Sequence, residues 1–455
     1  MPGLPRVVIV GAGFAGLQAA QTLAGARADV LILDRNNYHT FFPLLYQVAA
    51  AELEPEDIVY PVRSILRGKK YLRFLVEDVT GVDLENRLVR TGNHVFPYDY
   101  LILALGSRAH FFGVEGASKY AFELKTLEQA IAVRNHILFR FERALSETDP
   151  AKRKQLLTFA VIGGGPTGVE YIGALAELIR GPLSRDYPAL DLQEVRLLLL
   201  EGADHLLPGL PAPLQAYALK RLKKMGVEVQ LGAMVTRITP ESLTLKDGTT
   251  IRLSTVIWTA GVHGAPPPEA AALPILANEQ VKVLPTLQVP GHPEVYVVGD
   301  LARFQEEDQP LGMVATVAVQ EGEMAARNIL RQIGGHAPAE FHYLDLGSLA
   351  VIGRNAAVVH MLGRNFSGFL AWLLWLGVHI FRLIGFRNRL LVLIDWAWDY
   401  LFFERGVRLI VPIPQRHTPP HGFIDVSTDL SEPIPTDLSE KMGNYHTERE
   451  SQVRN

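Results

Sequence analysis

Apolar residues occur along the chain in short runs that end at a glycine or at an acidic residue. A run over Arg6–Val10 leads into a glycine-rich turn over 11–16, and a helix is predicted over Leu17–Leu23. The next apolar run, Val30–Leu33, ends at Asp34. Such runs are typical of strands buried in a parallel sheet, so the pattern predicts a strand–turn–helix–strand unit.

The same order of elements returns in the middle of the chain. An apolar strand over Leu157–Ile162 leads into a second glycine turn over 163–168, followed by a helix over Val169–Ile179. The next strand, Val195–Leu200, ends at Glu201. This repetition predicts an internal duplication of a nucleotide-binding half-domain.

Further segments are predicted to complete these sheets. Tyr71–Val95 is rich in strand-forming residues, and the apolar strand Tyr100–Leu105 ends at Gly106. A short strand over Val295–Val298 is closed by Gly299 and Asp300, and a helix rich in small residues follows over Val314–Leu330.

The amino-acid composition limits the number of domains, the partners and the redox chemistry that the chain can have. The chain has 455 residues, 48% of them hydrophobic, which predicts two or three domains with a large core. The formal net charge of −4 gives no reason to expect nucleic acid as a partner. Because the chain has no cysteine, disulfides, zinc thiolate sites, iron–sulfur clusters and thiol redox chemistry are excluded. We expect no metal site.

The first 20 residues faintly resemble a signal peptide, but their glycine pattern favours the nucleotide turn.

The first glycine turn has the GxGxxG pattern. Gly11 permits a tight turn, Gly13 lets the backbone approach a pyrophosphate, and Gly16 allows close packing of helix on strand. The helix N-terminus then offers free N–H groups to the phosphates. Asp34, at the end of the second strand, can accept hydrogen bonds from ribose hydroxyls. The alternative is an ordinary structural turn, which the flanking strand, helix and acid disfavour.

The second glycine turn repeats the pattern with glycines at 163, 165 and 168. A carboxylate at Glu201 favours the free 2′-hydroxyl of NADH and repels the 2′-phosphate of NADPH. No arginine follows directly, because the next residues are Gly202, Ala203 and Asp204. The turn therefore predicts NADH, although a structural turn is the alternative here too.

These motifs together resemble those of the flavoprotein reductases with two dinucleotide-binding domains. Leu101–Ser107 resembles the segment that returns the chain to the FAD domain, and Thr259–Val262 resembles the return from the NAD domain. Val297–Ala302 resembles the second FAD motif of that superfamily. The resemblance implies an α/β fold of two Rossmann-like domains, in which an NADH domain interrupts an FAD domain.

Within that superfamily the chain is similar to the type II NADH dehydrogenases, the single-chain NADH:quinone oxidoreductases. Asn37–Ala49 resembles their segment after the FAD aspartate, and Gly163–Glu170 resembles their NADH motif. The C-terminal run also resembles their membrane-binding tail. The residues that carry this last likeness are His379, Arg382, Gly385, Phe386, Arg387, Asn388, Arg389, Trp396, Arg408, Leu409 and Ile410.

The resemblance implies specific contacts for each cofactor. Tightly bound FAD is expected at Gly11, Ala12, Gly13, Phe14, Ala15, Gly16, Asp34, Arg35, Pro43, Leu44, Val79, Ala104, Gly106, Gly299 and Asp300. NADH as substrate is expected at Gly163, Gly165, Pro166, Thr167, Gly168, Glu170, Glu201 and Gly261.

One departure from the family concerns its quinone-site pattern, AQxAxQ. The chain has Ala315-Thr316-Val317-Ala318-Val319-Gln320, so a threonine replaces the first glutamine. Threonine can hydrogen-bond a quinone carbonyl, with shorter reach. We expect quinone contacts at Ala315, Thr316, Val319 and Gln320, with Gln320 in a catalytic position. The alternative for Gln320 is a helix residue whose side chain is satisfied by backbone.

Without cysteines, electrons must pass from flavin directly to a diffusing acceptor. Glu170 is the other candidate catalytic residue, since it begins the second-unit helix and lies near the flavin if the resemblance holds. It would tune charge or relay a proton to reduced quinone. A helix-start carboxylate favoured by the helix dipole is an equal alternative.

The C-terminal region is apolar and aromatic over Phe366–Phe386 and Leu390–Phe403, with four of the five tryptophans. Neither run reaches the ~20 apolar residues of a membrane span. Both predict amphipathic helices at a lipid surface, with tryptophans at headgroup depth. Arginines that would face anionic lipid are Arg382, Arg387, Arg389, Arg405 and Arg408. The alternative is a homodimer interface or a hairpin that covers the core.

The expected organisation is an FAD domain over 1–125 and 286–345, an inserted NADH domain over 126–285, a membrane-associating region over 346–412 and a disordered tail over 413–455. The expected function is NADH:quinone oxidoreduction without proton pumping, peripheral on the cytoplasmic face of the inner membrane through 366–410. Two alternatives remain: a soluble NADH reductase of a small iron–sulfur or haem protein, and a redox sensor that binds NADH and flavin.

Overall fold

The computed structural model describes residues 3–270, 272–306, 309–402 and 404–411. The predicted tail over 413–455 lies outside these residues. The predicted α/β class is confirmed: two separate sheets of mainly parallel strands carry the two glycine turns, each between its first strand and the following helix.

The first sheet has six strands, in the order Gln288–Val289, His292–Val297, Tyr100–Leu103, Arg6–Val10, Asp29–Asp34 and Leu72–Val76. All neighbouring pairs are parallel except the first, which is an antiparallel hairpin. Val7 to Val10 are buried, as the apolar run predicted, because helices cover both faces of a parallel sheet. Two distant parts of the chain, before residue 104 and after residue 287, therefore build one sheet.

The second sheet is formed by the chain between those parts. Its five strands run in the order Phe122–Glu123, Thr255–Trp258, Thr158–Ile162, Arg196–Leu200 and Glu228–Gln230. All are parallel. The first of them precedes the expected boundary at residue 126, so the second sheet begins earlier in the chain than the sequence analysis placed it.

Two short strands connect the halves where the chain passes between them: Ser107–Ala109 pairs antiparallel with Val262–Gly264. Each half also carries a three-stranded antiparallel sheet. These are formed by Val79–Asp83, Leu88–Thr91 and Val95–Pro97, and by Val235–Ile238, Ser242–Leu245 and Thr250–Arg252.

The helices of ten or more residues among the described residues are numbered in chain order. They are α1 (Phe14–Leu23), α2 (Leu127–Ser146), α3 (Pro166–Leu178), α4 (Ala212–Lys224), α5 (Ala315–Ile333), α6 (Phe369–Arg382) and α7 (Phe386–Phe402). Helices α1 and α5 pack very closely, because Gly322 of α5 lies against the carbonyl of Ala15; a Cβ at Gly322 would lie 2.2 Å from that oxygen.

The C-terminal region begins with an antiparallel sheet of Ser348–Val351, Ala357–Met361 and Arg364–Gly368, and continues with α6 and α7. Phe366 therefore lies in a strand, and the helix starts at Phe369. No helix among the described residues is long and apolar enough to cross a bilayer. Two anchors fix α6 and α7 to the body: Trp375 is 1% exposed, and the buried amide of Asn388 donates to the carbonyls of Glu56, Asp57 and Val59.

Two details of the expected lipid-facing surface are wrong. Arg405 is buried and pairs with Glu52, Glu177 and Asp399. Arg408 pairs with Asp186. Among the four C-terminal tryptophans, Trp375 is buried, Trp372 and Trp396 are half-buried, and Trp398 is exposed. The exposed apolar surface consists instead mainly of phenylalanine and leucine.

Candidate functional site

One cavity of about 3530 Å³ runs between the two sheets. Its wall includes Gly13 and Asp34 from the first half, Pro166 from the second, and Leu373 from the C-terminal helix α6. Pockets for a single small ligand are usually about 300–1,000 Å³. The cavity is therefore large enough for more than one sizeable ligand, and it brings residues of both motifs together.

The first glycine turn has the geometry that the motif predicts. A Cβ at Gly11, where φ is +105°, would lie 2.3 Å from the carbonyl oxygen of Ala104, and one at Gly16 would lie 1.9 Å from that of Gly11. A Cβ at Gly13 would meet no atom within 4 Å, and Gly13 lines the cavity. Gly11 and Gly16 are thus required by packing, whereas Gly13 leaves space for a ligand.

The second glycine turn reproduces this geometry. A Cβ at Gly163, where φ is +108°, would lie 2.6 Å from the Cα of Ala260, and one at Gly168 would lie 1.9 Å from the oxygen of Gly163. A Cβ at Gly165 would meet no atom within 4 Å. The structure therefore distinguishes the same three roles in both turns: one glycine for the turn, one for access and one for helix packing.

The carboxylates after the second strand of each unit hold the glycine turns. Asp34 accepts hydrogen bonds from the N–H groups of Ala12 and Asn36, both at 2.7 Å. Glu201 accepts from Gly164 and Ala203 in the same manner. Burial raises the pKa of Asp34 above its usual value, although its two N–H donors oppose that shift.

Most residues expected to bind FAD are brought together. Those that line the cavity are Gly11, Gly13, Phe14, Ala15, Asp34, Arg35, Pro43, Val79, Ala104, Gly106, Gly299 and Asp300. Ala12, Gly16 and Leu44 are not among the lining residues. They lie behind the wall, where Ala12 and Leu44 are 2% and 0% exposed.

The expected NADH residues are more dispersed. Pro166, Thr167 and Glu170 line the cavity, whereas Gly163, Gly165, Gly168, Glu201 and Gly261 do not. Gly261 is covered by the ring of Phe112, whose nearest carbons would lie 2.7 Å from a Cβ at that position. Glu201 is half-buried at the edge of the turn.

Glu170 lies at the meeting point of three parts of the chain. Its Oε1 accepts hydrogen bonds from the N–H of Val351 and from the indole of Trp375, both at 3.3 Å. Burial raises the pKa of this carboxyl to about 8, against the effect of the two donors. Glu170 therefore combines a raised pKa with a place in the cavity wall, the properties expected of a group that exchanges a proton there.

The expected acceptor residues divide into two groups. Ala315, Thr316 and Val319 line the cavity from α5. Gln320 does not: its amide donates to the carbonyl of Leu344 and accepts from the N–H of Leu344, each at 3.0 Å. Backbone hydrogen bonds satisfy this side chain, the arrangement that the alternative interpretation described, and they hold the segment around Leu344 against α5.

Several residues in the cavity wall were missed by sequence reasoning. The Nδ1 of His39 contacts the carbonyl of Ala12 at 3.0 Å, while its buried Nε2 has no partner within the protein. The Nζ of Lys125 donates to Ser107, which donates to Asp300. The glycine pattern carries no signal for these contacts, because they join segments far apart in sequence. The open space at Gly13 and the unpaired His39 nitrogen fit a polar ligand such as the FAD that the motif predicts.

The family models match most of the chain. The model described as pyridine nucleotide-disulphide oxidoreductase matches residues 5–322, and the model described as NDH2 C-terminal domain matches residues 346–405. The solved structure of NDH2 from Plasmodium falciparum in complex with NADH superimposes with a TM-score of 0.81 and 20% identity, over 90% of this chain and 100% of that one. At 20% sequence identity, this likeness shows the fold alone.

Curated relatives extend over nearly the full length. A type II NADH:quinone oxidoreductase of Mycobacterium tuberculosis is 39% identical over 420 residues, 89% of this chain and 90% of that protein. Another from Staphylococcus haemolyticus is 30% identical over 372 residues, 80% of this chain and 91% of that protein. The resemblance inferred from the motifs is thereby confirmed: the chain belongs to the type II NADH:quinone oxidoreductase family.

Proposed function

We propose that this chain is an FAD-dependent enzyme that oxidises NADH and reduces a membrane quinone without pumping protons. The observation that carries the proposal is one large cavity, which both dinucleotide-binding halves and the apolar helix α6 line together. Family membership favours this function over a soluble reductase of a carrier protein and over a redox sensor.

The FAD assignment rests on the first glycine turn and the second motif. Bound FAD would accept a hydride equivalent from NADH and supply two electrons to the acceptor. Gly13 gives a pyrophosphate access to the N-terminus of α1, and Asp34 holds the turn. Asp300, from the second motif, lines the same cavity and accepts a hydrogen bond from the hydroxyl of Ser107 at 2.5 Å.

The NADH assignment rests on the second glycine turn and Glu201. Gly165 leaves the N-terminus of α3 open to phosphates, and the Glu201 carboxylate would accept from a ribose hydroxyl and repel a 2′-phosphate. Pro166, Thr167 and Glu170 continue this surface into the cavity. Glu170 can exchange a proton with a ligand in the cavity, since it lies in the wall and burial raises its pKa to about 8.

Membrane association is assigned to the surface of residues 366–410. Its most exposed apolar side chains are Phe369, Leu370, Phe381, Phe386, Leu401 and Leu409, which range from 53% to 81% exposed. An apolar surface on two helices, with Arg382 and Arg387 exposed beside it, suits a bilayer interface rich in anionic lipid. Such lipid would lie at the cytoplasmic face. In a homodimer, a second copy of the chain would cover part of the same apolar surface.

The decisive experiment is steady-state kinetics with the purified, FAD-loaded chain, NADH and a short-chain quinone. We expect NADH oxidation that depends on quinone and is much faster with NADH than with NADPH. Ferricyanide serves as an acceptor that needs no quinone site. FAD-loaded protein that oxidises NADH with ferricyanide, yet does not reduce quinone, would overturn the proposal.

A further inference from the structure

The threonine that departs from the family's quinone pattern does not stand alone in the cavity wall. The Oγ1 of Thr316, in the first turn of α5, lies 3.0 Å from the phenol oxygen of Tyr343. Both residues are half-buried and both line the cavity. Two hydroxyls in one hydrogen bond use one of their two protons, so the pair keeps one O–H free to donate to a ligand.

Tyr343 is held in this position by the same helix. The neighbouring residue, Leu344, is bonded through both its N–H and its carbonyl to the side-chain amide of Gln320, each at 3.0 Å. On the other side, the ring of Phe341 is buried edge-to-face against Phe304, with ring centroids 5.2 Å apart. The phenol is therefore presented from a segment that is fixed on both sides of Tyr343. Because this segment is already ordered, a ligand would bind it with little loss of conformational entropy.

The surroundings of the hydroxyl pair suit the ring of a quinone. Met313 and Val314 line the same cavity just before α5, Ala315 and Val319 line it from within α5, and Leu346 lines it three residues after Tyr343. A ligand pocket commonly combines such apolar walls with a few polar groups that fix orientation. A quinone offers an apolar ring with carbonyl oxygens, which are acceptors and match a hydroxyl donor.

We propose that Tyr343, together with Thr316, forms the group that binds a quinone carbonyl in this chain, and that Gln320 is a positioning residue acting through Leu344. The inference rests on the proposed function. Threonine is shorter than the glutamine of the family pattern, and the phenol, delivered from a neighbouring segment, restores the lost reach. Tyr343 thus determines quinone affinity in this chain, although it lies outside α5, the helix that carries the family's quinone pattern.

The test compares Tyr343→Phe with Thr316→Val and the double variant, with menadione as quinone, NADH as donor and FAD-loaded protein. Loss of the phenol hydroxyl should raise the KM for menadione about three- to tenfold, as expected for one hydrogen bond. The KM for NADH, the FAD content and the ferricyanide rate should remain unchanged. Thr316→Val should have a smaller effect, because the phenol stays free to donate.

Tyr296→Phe is the matched control. Its phenol also donates to α5, at Gln332 Oε1 over 2.7 Å, but it lies outside the cavity lining. This variant should lower stability as much as Tyr343→Phe and leave the KM for menadione unchanged. Gln320→Leu should raise that KM, and adding it to Tyr343→Phe should change little further.

The outcomes separate the two proposals. An FAD-loaded wild-type chain that fails to reduce menadione would overturn the proposed function itself. A wild-type chain that reduces menadione, with Tyr343→Phe retaining its KM and losing only stability, would overturn the assignment of Tyr343 and leave the proposed function intact.

Discussion

The indole N–H of Trp375 donates to the carboxyl of Glu170 over 3.3 Å, which joins the C-terminal helix α6 to α3. The two residues are 205 positions apart, and both are buried. The C-terminal region therefore closes the cavity wall beside Glu170, and α6 fixes the position of that carboxyl.

The pKa of Glu170 predicts how stability depends on pH. Burial raises this pKa from 4.5 to about 8, so between these values the folded chain holds a proton that the unfolded chain releases. Stability contributed by this group is present below pH 4.5 and is lost as pH rises through about 8. We expect Glu170→Gln to remove this loss. Between pH 6 and pH 9 the free energy of unfolding should therefore fall by at least about 1 kcal/mol more for the wild type than for the variant.

Thermal unfolding across that pH range measures the difference, with Glu85→Gln as the control because Glu85 is exposed. The control should follow the wild-type pH dependence. Equal slopes for wild type and Glu170→Gln would show that the carboxyl is ionised in the folded chain.

The two access glycines predict a reciprocal pair of variants. Gly13 and Gly165 have φ values of −72° and −69°, which alanine adopts without strain, and neither Cβ would meet an atom within 4 Å. Gly13→Ala should therefore fold normally but lose FAD on gel filtration. Gly165→Ala should retain FAD and raise the KM for NADH about tenfold or more, since each added methyl stands where a phosphate must approach the backbone.

Each variant is the control for the other. Retention of FAD by Gly13→Ala, with the FAD instead lost by Gly165→Ala, would reverse the assignment of the two halves. Far-ultraviolet circular dichroism and the unfolding midpoint of the apoprotein establish that both chains fold.

The glycine turns could be predicted because their geometry is local. In each unit a strand, a turn and a helix follow one another directly, and the carboxylate that holds the turn ends the next strand. The three glycine roles depend on contacts within that unit or with the adjoining strand end. A sequence pattern therefore contains nearly all of the relevant information.

The surroundings of Thr316 and Gln320 could not be predicted in the same way, because contacts between separate segments of the chain decide them. Gln320 matches the family motif, yet its amide is used by the backbone of Leu344, and the hydroxyl beside Thr316 comes from Tyr343. Arg405 resembled a lipid-facing cation, yet its partner Glu52 is 353 residues away. Charge and amphipathic pattern alone do not distinguish a buried ion pair from an exposed one.

The buried cluster around Arg405 predicts a large effect on stability. Arg405 is 2% exposed, pairs with Glu52 and also donates to the carbonyls of Ala50 and Ala174. Arg405→Met should lower the free energy of unfolding by about 3–5 kcal/mol, because it leaves buried carboxylates without a counter-charge. Burial raises the pKa of Glu52 to about 7 although Arg405 opposes the shift, so the loss should be greater at pH 8 than at pH 5.5.

Denaturant unfolding at the two pH values measures this effect. Arg382→Gln is the control, since Arg382 is exposed, and it should change stability by no more than about 0.5 kcal/mol. If Arg405→Met instead kept its stability and lost only vesicle binding, the arginine would face lipid as the sequence suggested.

The exposed phenylalanines at the junction of α6 and α7 predict membrane affinity. Phe381 and Phe386 are 79% and 81% exposed, so replacing both with serine should disturb the folded chain little. Each ring is worth roughly 1.5–3 kcal/mol when it leaves water, and we expect vesicle partitioning of the double variant to fall at least about tenfold. Co-sedimentation with vesicles containing anionic lipid measures it, with Leu145→Ser on α2 as the control, because Leu145 is also exposed and apolar at 45%.

Two measurements distinguish a surface that binds lipid from a surface between two copies of the chain: the salt dependence of vesicle binding and the sedimentation mass of the double variant. Binding through Arg382 and Arg387 should weaken as salt rises, because each cation near an anionic surface contributes about 1 kcal/mol that salt screens. If the phenylalanines lie between two copies, the double variant should sediment as a monomer in detergent-free buffer while the wild type sediments as a dimer. Unchanged vesicle binding in the variant, with its kinetics on menadione also unchanged, would locate the membrane contact elsewhere in the chain.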